Sequence, residues 1–404
     1  MDDPRDDGRP RTAETRARLA HDLTLSDELS GATRAVREFE TRWRQRCGTR
    51  YAMTTASGSA ALLCAYFGLG VGPGDEVICP TYTWINSIGP ALLLGARPVF
   101  CESDPETLLL DPEDVRRKIT PNTRAIVAVH LWGQVCDMDA LMAISRESGI
   151  PLVEDCSQAH GATHAGRLAG TIGAAGCWSL QGSKAVSAGE GGVLATNDQV
   201  VFERACLVSQ GSRLGALSHP EHAEHQPLGL GMKLRGHPLG IAIAGVELAR
   251  LREWNERRRA WVDALERGLD GVAGLRVVRR HSGTDHVVYL EHPFVHLPEE
   301  YEGIPTAKLI AALNDSGIAA APAGGMPLLH RLPLFATGYD LFTRNRGPLG
   351  AEYRGYREDD FPATEAMHRR ILLFAVPERG SANDATDLAD RVRGVAKKLS
   401  AGGR

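Results

Sequence analysis

A lysine and an aspartate 29 residues apart carry the most specific chemistry in this chain. Of its 46 basic side chains only six are lysine, and one of them is Lys184. Arginine keeps its proton in a protein, whereas a lysine amine can lose it and attack a carbonyl carbon. Lys184 closes Gln181-Gly182-Ser183-Lys184, just before the glycine-rich run Gly189-Glu190-Gly191-Gly192. Upstream, the apolar run Pro151-Leu152-Val153 ends in Glu154-Asp155. An amine that can form a Schiff base and a strand-end carboxylate that can pair with a pyridinium nitrogen are the two anchors that hold pyridoxal phosphate (PLP). Taken singly, each residue has an ordinary reading. Asp155 reads as a helix cap or a solvated loop acid, and Lys184 as a surface lysine, although the apolar segments on both sides of Lys184 argue against full exposure.

Other segments fit the same ligand. Thr54-Thr55-Ala56-Ser57-Gly58-Ser59 precedes an apolar helical run over 60–70. Small residues at a helix start let backbone N–H groups close on an anion, which is a phosphate site in outline. A plain serine helix cap explains the same residues. Trp84 lies four residues after Pro80, where the chain leaves a strand. It reads equally as a ring that stacks on a pyridine or as core packing. Glu190 with Gly191-Gly192 reads as a tight turn between strands and is assigned no chemistry.

These residues need a frame. From about residue 50 the chain alternates apolar strand-like runs (75–80, 97–101, 124–131, 151–154) with helical stretches (60–70, 85–94, 111–119, 137–147). Such alternation implies right-handed crossovers and a mostly parallel sheet. Further strands are expected at 176–180, 192–196, 275–278 and 286–291, and helices at 237–258, 306–316 and 384–399. In such sheets ligands gather beyond the carboxyl ends of the strands, where 81–84, 130–132 and 155–158 fall. The histidine- and proline-rich segment 211–228 reads as a mobile, lid-like loop.

A length of 404 residues suggests two domains. The expected division is an N-terminal arm at 1–30, a large domain at 31–255 and a smaller one at 256–404, with the first ten residues or so disordered. A net charge of −4 suggests neither nucleic acid nor an anionic membrane as a partner. No stretch approaches a membrane span, and the N-terminus lacks the apolar core of a secretory signal. Eight scattered cysteines with no CxxC pair read as reduced core residues of a cytoplasmic protein. The fourteen histidines show no metal-ligand spacing, so no metal is expected.

The ordered motifs together resemble the DegT/DnrJ/EryC1/StrS family of PLP-dependent sugar and aminocyclitol aminotransferases. The resemblance runs from about Gly31 to Pro377. It rests on Ser57-Gly58-Ser59-Ala60-Ala61-Leu62, Gly74-Asp75-Glu76-Val77-Ile78, Pro80-Thr81-Tyr82-Thr83-Trp84 and Val129-His130-Leu131-Trp132-Gly133-Gln134. It continues through Glu154-Asp155-Cys156-Ser157-Gln158-Ala159-His160-Gly161, Trp178-Ser179-Leu180 and the glycine run after Lys184. What it implies is an α/β protein of PLP transferase fold type I with a mostly parallel central sheet and a smaller α/β C-terminal domain. It also implies a homodimer whose active sites are shared between subunits. Lys184 matches the Schiff-base lysine and Asp155 the pyridinium partner. Gln158 matches a residue near the ring or its 3-hydroxyl, Trp84 the stacking position, and Gly58, Ser59 and Ser179 the phosphate contacts. Where the family often has Gly-x-Asn-x-Arg reaching the neighbouring subunit's phosphate, this chain reads Gly231-Met232-Lys233-Leu234-Arg235, which puts Lys233 in the asparagine's place. Tyr82, Gln181 and His330 are candidate substrate-side residues, and His330 reads equally as a plain loop residue.

The expected activity moves an amino group from glutamate or glutamine to a keto-sugar or keto-cyclitol in specialised metabolism. The alternatives are a lyase or aromatising synthase on a cyclic polyol or keto acid, resembling aminohydroxybenzoate synthases, and a non-catalytic PLP-binding regulator. Retention of lysine at 184 argues against the deoxygenating branch that carries histidine there.

Overall fold

The computed structural model describes residues 10–25, 29–31, 33–225, 229–340, 344–350 and 352–401. The expectation of disorder at the extreme N-terminus falls on residues 1–9, outside the described residues. Within the expected arm, Pro10–Leu25 forms helix α1.

Helix α2 (Arg34–Cys47) leads into β1 (Tyr51–Thr55), α3 (Gly58–Gly68), β2 (Glu76–Pro80), α4 (Gly89–Leu93) and β3 (Arg97–Cys101). Next come α5 (Pro112–Lys118), β4 (Thr123–Val129), α6 (Met138–Ser148) and β5 (Leu152–Asp155). A small hairpin, β6 (Thr163–His164) and β7 (Arg167–Leu168), precedes β8 (Ala175–Ser179) and β9 (Gly192–Thr196). Seven strands form one sheet in the order β1-β9-β8-β5-β4-β2-β3, in which only β9 runs against its neighbours. Strands β4, β5 and β9 are buried along nearly their whole length, as expected for a sheet covered on both faces. The buried helix α3 is apolar all round (Ala60, Leu62, Leu63, Cys64, Ala65), so it sits inside the layer rather than on it. All eight cysteines are free and buried.

After α7 (Gln199–Ser209) and the short α8 (Pro220–Ala223) comes α9 (Pro238–Leu269). The expected helix ended at Arg258, but α9 continues for three more turns. The reason lies in its apolar positions. Residues up to Leu251 join the core under the seven-stranded sheet, while Trp261, Val262, Leu265 and Leu269 keep helical spacing and bury in a second core. That core is closed by the antiparallel sheet β10-β12-β14-β13 and by α10 (Thr306–Asp315) and α13 (Ala382–Ala401). The sheet comprises β10 (Leu275–Val277), β12 (Glu291–His296), β13 (Ala320–Pro322) and β14 (Ile371–Ala375). The two-residue β11 (Thr284–Asp285) pairs instead with β6, and α11 (Pro333–Ala336) and α12 (Pro362–His368) connect β13 to β14.

The strand expected over 286–291 is displaced: the sheet begins at Glu291, opposite Ala375. The preceding residues are tied elsewhere. Val287 N–H donates to Gly133 O (3.1 Å) and Tyr289 N–H to Trp132 O (3.4 Å). This ties the segment to the turn after β4 and sets Tyr289 against the mouth of the main cavity. The segment expected as a lid, 211–228, is also folded. Gly211–Ala216 is a 3-10 turn, and Leu214, Leu217 and His222 are buried. Residues 226–228 lie outside the described residues.

Candidate active site

Beyond the carboxyl ends of the parallel strands lies a cavity of about 380 Å³, within the ~300–1,000 Å³ usual for small-molecule sites. Of the sequence candidates, it brings together Gly58, Ser59, Trp84, Asp155, Gln158, Ser179, Gln181 and Lys184.

One wall is the start of α3. Ser57 caps the helix, its Oγ accepting from Ala60 N–H at 3.1 Å, so the cap reading is right for Ser57. A cap does not use up the end of a helix, because the first-turn N–H groups keep no intrahelical partner and point outward with the positive end of the dipole. The turn is also tightly packed from behind. A methyl on Gly192 would lie 2.3 Å from Ser57 O, and one on Gly58 would lie 2.9 Å from Ser179 Cβ. Glycine at these positions is a condition of the cradle. Asn86 Nδ2 donates to Ser59 Oγ at 2.9 Å, which orients that hydroxyl.

The floor is Asp155, 5% exposed at the end of β5. Its Oδ2 accepts from Ser87 Oγ at 2.8 Å, and its Oδ1 accepts from Ser157 N–H (3.1 Å) and Oγ (2.6 Å). Ser87 is in turn within 3.0 Å of Thr83 Oγ1. A buried carboxylate accepting three hydrogen bonds is held in one orientation. Behind it, Glu154 is fully buried and accepts from the N–H groups of Gly170, Ile172 and Gly173, each at 2.7 Å. His130 lies 3.2 Å from Glu154, and its Nδ1 accepts from Cys136 N–H (3.2 Å). The loop after β5 is thereby fixed to the strand that carries Asp155.

Gln158 Oε1 accepts from Trp132 N–H at 2.6 Å, which leaves its NH₂ as the free end of the amide. Trp132 (φ 51°) and Gly133 (φ 85°) make the left-handed turn that aims this N–H. Trp84 is 49% exposed at the cavity rim, an apolar ring without full cover.

The Lys184 amine donates to Tyr289 OH at 2.8 Å and sits 4.4 Å from the ring centre. Ser183 Oγ is 2.9 Å from the same phenol and donates to Gln181 Oε1 at 2.7 Å. Amine, phenol, hydroxyl and amide form one connected polar chain along the cavity wall. Sequence reasoning missed Tyr289, 105 residues beyond Lys184, because it lies in no local pattern. It also missed Ser87 and Asn86 in the 3-10 turn after Trp84, where only their nearness to an exposed aromatic was a signal.

Three candidates are not brought to the cavity. His330 is fully buried between Thr81 Oγ1 (2.7 Å from Nδ1) and Glu365 (3.1 Å from Nε2), a satisfied core histidine joining the end of β2 to α12. Tyr82 is fully buried against Trp132 and His368, and burial pushes its phenol pKa up. Lys233 is exposed on a segment that meets the phosphate turn through its neighbours, Leu234 O accepting from Ala56 N–H at 2.8 Å and Arg235 bridging Thr55.

The donor set suits PLP. It offers a primary amine, a buried carboxylate, a helix start for an anion and an exposed ring beside a cavity of fitting size.

The family model for the DegT/DnrJ/EryC1/StrS aminotransferase family matches residues 10–392. The chain is 34% identical over 399 residues to the L-glutamine:2-deoxy-scyllo-inosose aminotransferase of Streptomyces fradiae, covering 94% of this chain and 89% of that protein. The crystal structure of S. venezuelae DesV in complex with a ketimine intermediate superposes with a TM-score of 0.79 at 30% identity over 95% of each chain. The structure of 3-amino-5-hydroxybenzoic acid synthase gives 0.78 at 25% identity over 95% of this chain and 97% of that one.

Proposed function

Because the chain belongs to the DegT/DnrJ/EryC1/StrS aminotransferase family, we propose that it moves the amino group of glutamine to a keto-cyclitol of the 2-deoxy-scyllo-inosose type in specialised metabolism. The protein is a PLP-dependent aminotransferase of mostly parallel α/β architecture. The observation that carries the aminotransferase chemistry is the convergence of Lys184 Nζ, the Asp155 carboxylate and the start of α3 on one cavity. The name of the S. fradiae relative supports glutamine and a cyclitol as the pair.

Lys184 would hold the aldehyde carbon of PLP, Ser57–Ser59 and Ser179 its phosphate, Asp155 its ring nitrogen, Gln158 the 3-hydroxyl side, and Trp84 one ring face. When bound, PLP supplies an electron sink for negative charge developing on a substrate carbon. Asp155 would face the ring nitrogen, and its three hydrogen bonds prevent the carboxylate from turning away. Lys184 Nζ, when not bonded to the cofactor, would hold or move a proton at the substrate carbon as a general base and acid. Tyr289 OH holds that nitrogen in place, and Ser183, itself bonded to Gln181, holds Tyr289.

We read the active form as a cytoplasmic homodimer with shared sites, in which Lys233 reaches the partner's phosphate. Its exposure in this chain supports that placement. The large PLP-binding unit would span 31–255 and the smaller unit 256–404.

The test is direct. Protein loaded with PLP and given L-glutamine without acceptor should convert to its pyridoxamine form, read by absorbance. Adding 2-deoxy-scyllo-inosose should restore the starting spectrum and yield the amino-cyclitol. A lyase would leave glutamine unconsumed.

A further inference from the structure

A second cavity of about 450 Å³ lies away from the active site, lined in part by Glu221, His222, Glu224 and His225. The linear order His219-Pro220-Glu221-His222 matches no metal motif considered above. Folding nonetheless places one donor atom from each of His219, Glu221 and His222 within 4.8 Å of one another.

The imidazoles are held in place rather than merely close. Glu203 projects from α7 and accepts from His222 Nδ1 at 2.9 Å, from Ser218 N–H at 3.0 Å and from His219 N–H at 3.0 Å. Gln199 Nε2 donates to its Oε1 at 2.8 Å. A carboxylate on one imidazole nitrogen fixes the tautomer and leaves the opposite nitrogen as a lone-pair donor, which is the outer shell that metal-binding histidines use. His222 is 4% exposed, and its ring centre lies 4.7 Å from that of His219. His219 Nδ1 is itself buried and has no hydrogen-bond partner among the described residues. A ring nitrogen enclosed without a partner, beside a second imidazole already oriented by a carboxylate, is the second observation that points to a ligand.

We propose that His219, Glu221 and His222 bind a divalent late transition metal of the zinc class, with Glu203 as the outer-shell anchor. Two imidazole nitrogens and one carboxylate oxygen suit Zn²⁺, Co²⁺ or Ni²⁺ over Ca²⁺ or Mg²⁺. Tetrahedral zinc places donors about 3.3 Å apart, so the donor atoms, now within 4.8 Å of one another, close in on the ion, and the exposed Glu221 carboxylate has the freedom to do so. Water fills the fourth position. The ion would clamp the turn around α8 onto α7 just ahead of Gly231–Arg235, the segment that reaches the phosphate turn. The site stands apart from the aminotransfer reading and does not depend on it.

The experiment uses tag-free, chelator-treated full-length protein with PLP bound. Titration with Co²⁺ should give one equivalent bound, with the visible absorption of a tetrahedral N/O site that Zn²⁺ then bleaches. His222→Ala should abolish this signal. Glu221→Gln, an exposed change that leaves the fold intact, should weaken binding at least tenfold while PLP retention stays unchanged. The proposal is overturned if wild-type protein takes up no Co²⁺ at 100-fold molar excess. Uptake that survives in both the His219→Ala/His222→Ala double variant and Glu221→Gln overturns it equally.

Discussion

Lys184 Nζ lies 2.8 Å from the hydroxyl of Tyr289, a residue 105 positions further along the chain held by the main chain of Trp132. The contact joins the amine on the β8–β9 loop to the entry into the antiparallel sheet. A lysine in this contact keeps its nitrogen directed into the cavity when nothing else binds it. Two substitutions separate the roles. Lys184→Ala should remove both the visible band of lysine-bound PLP and all turnover. Tyr289→Phe keeps the ring and removes the hydroxyl. It should keep the band and lower kcat about 10- to 100-fold with KM changed less than threefold, a loss at the lower end for a group that assists proton transfer. Unchanged kcat in Tyr289→Phe would limit the phenol to packing.

Asp155 and Ser87 form the second testable pair, 2.8 Å apart beneath the cavity. Asp155→Asn removes the charge that holds the ring-nitrogen proton. Turnover should fall by at least about 100-fold while PLP still binds, because the helix start and Lys184 are intact. Ser87→Ala removes only one of three hydrogen bonds to the carboxylate. Its stability cost should be about 1–2 kcal/mol, with turnover reduced several-fold. Stopped-flow spectra with glutamine distinguish the two, since only Asp155→Asn should slow the half-reaction drastically.

The phosphate cradle depends on close approach. An added methyl at Gly192 would fall 2.3 Å from Ser57 O, so Gly192→Ala must push the Ser57–Ser59 turn outward. The fold should survive with a loss of about 1–3 kcal/mol, typical of overpacking. Affinity for PLP should drop more than tenfold, as measured by equilibrium dialysis. Retained affinity would show that the turn relaxes without opening.

Much of this site was legible before folding. Asp155, Lys184, Gly58 and Ser59 sit in short ordered motifs, and strand alternation alone placed 81–84, 130–132 and 155–158 beyond the carboxyl ends of a parallel sheet. Tyr289 was not legible, because it reaches the cavity through main-chain bonds to a left-handed turn at Trp132 and Gly133, which no side-chain pattern encodes. His330 failed in the opposite way. A histidine in a proline-flanked loop looks available, yet Thr81 and Glu365 occupy both its nitrogens. The end of α9 was misjudged because its apolar stripe leaves one core and enters a second without a break in helical spacing.

His160 gives the pH test. It is 2% exposed, its Nε2 has no hydrogen-bond partner among the described residues, and its ring packs edge-on to Trp43. Burial first, and the positive charge of Lys184 second, push its pKa down from 6.5 to about 3. The unfolded chain therefore binds a proton that the folded protein refuses between these values. The contribution is fully present above pH 6.5 and is lost as pH falls toward 3, at up to ~1.4 kcal/mol per pH unit. His160→Gln removes this titration. The stability gap between wild type and variant, followed as the shift in urea midpoint from pH 7.5 to pH 4.5, should shrink or reverse on acidification. A gap that stays constant over that range would mean that the folded protein protonates His160 as readily as the unfolded chain does, and that the ring is not held neutral beneath Lys184.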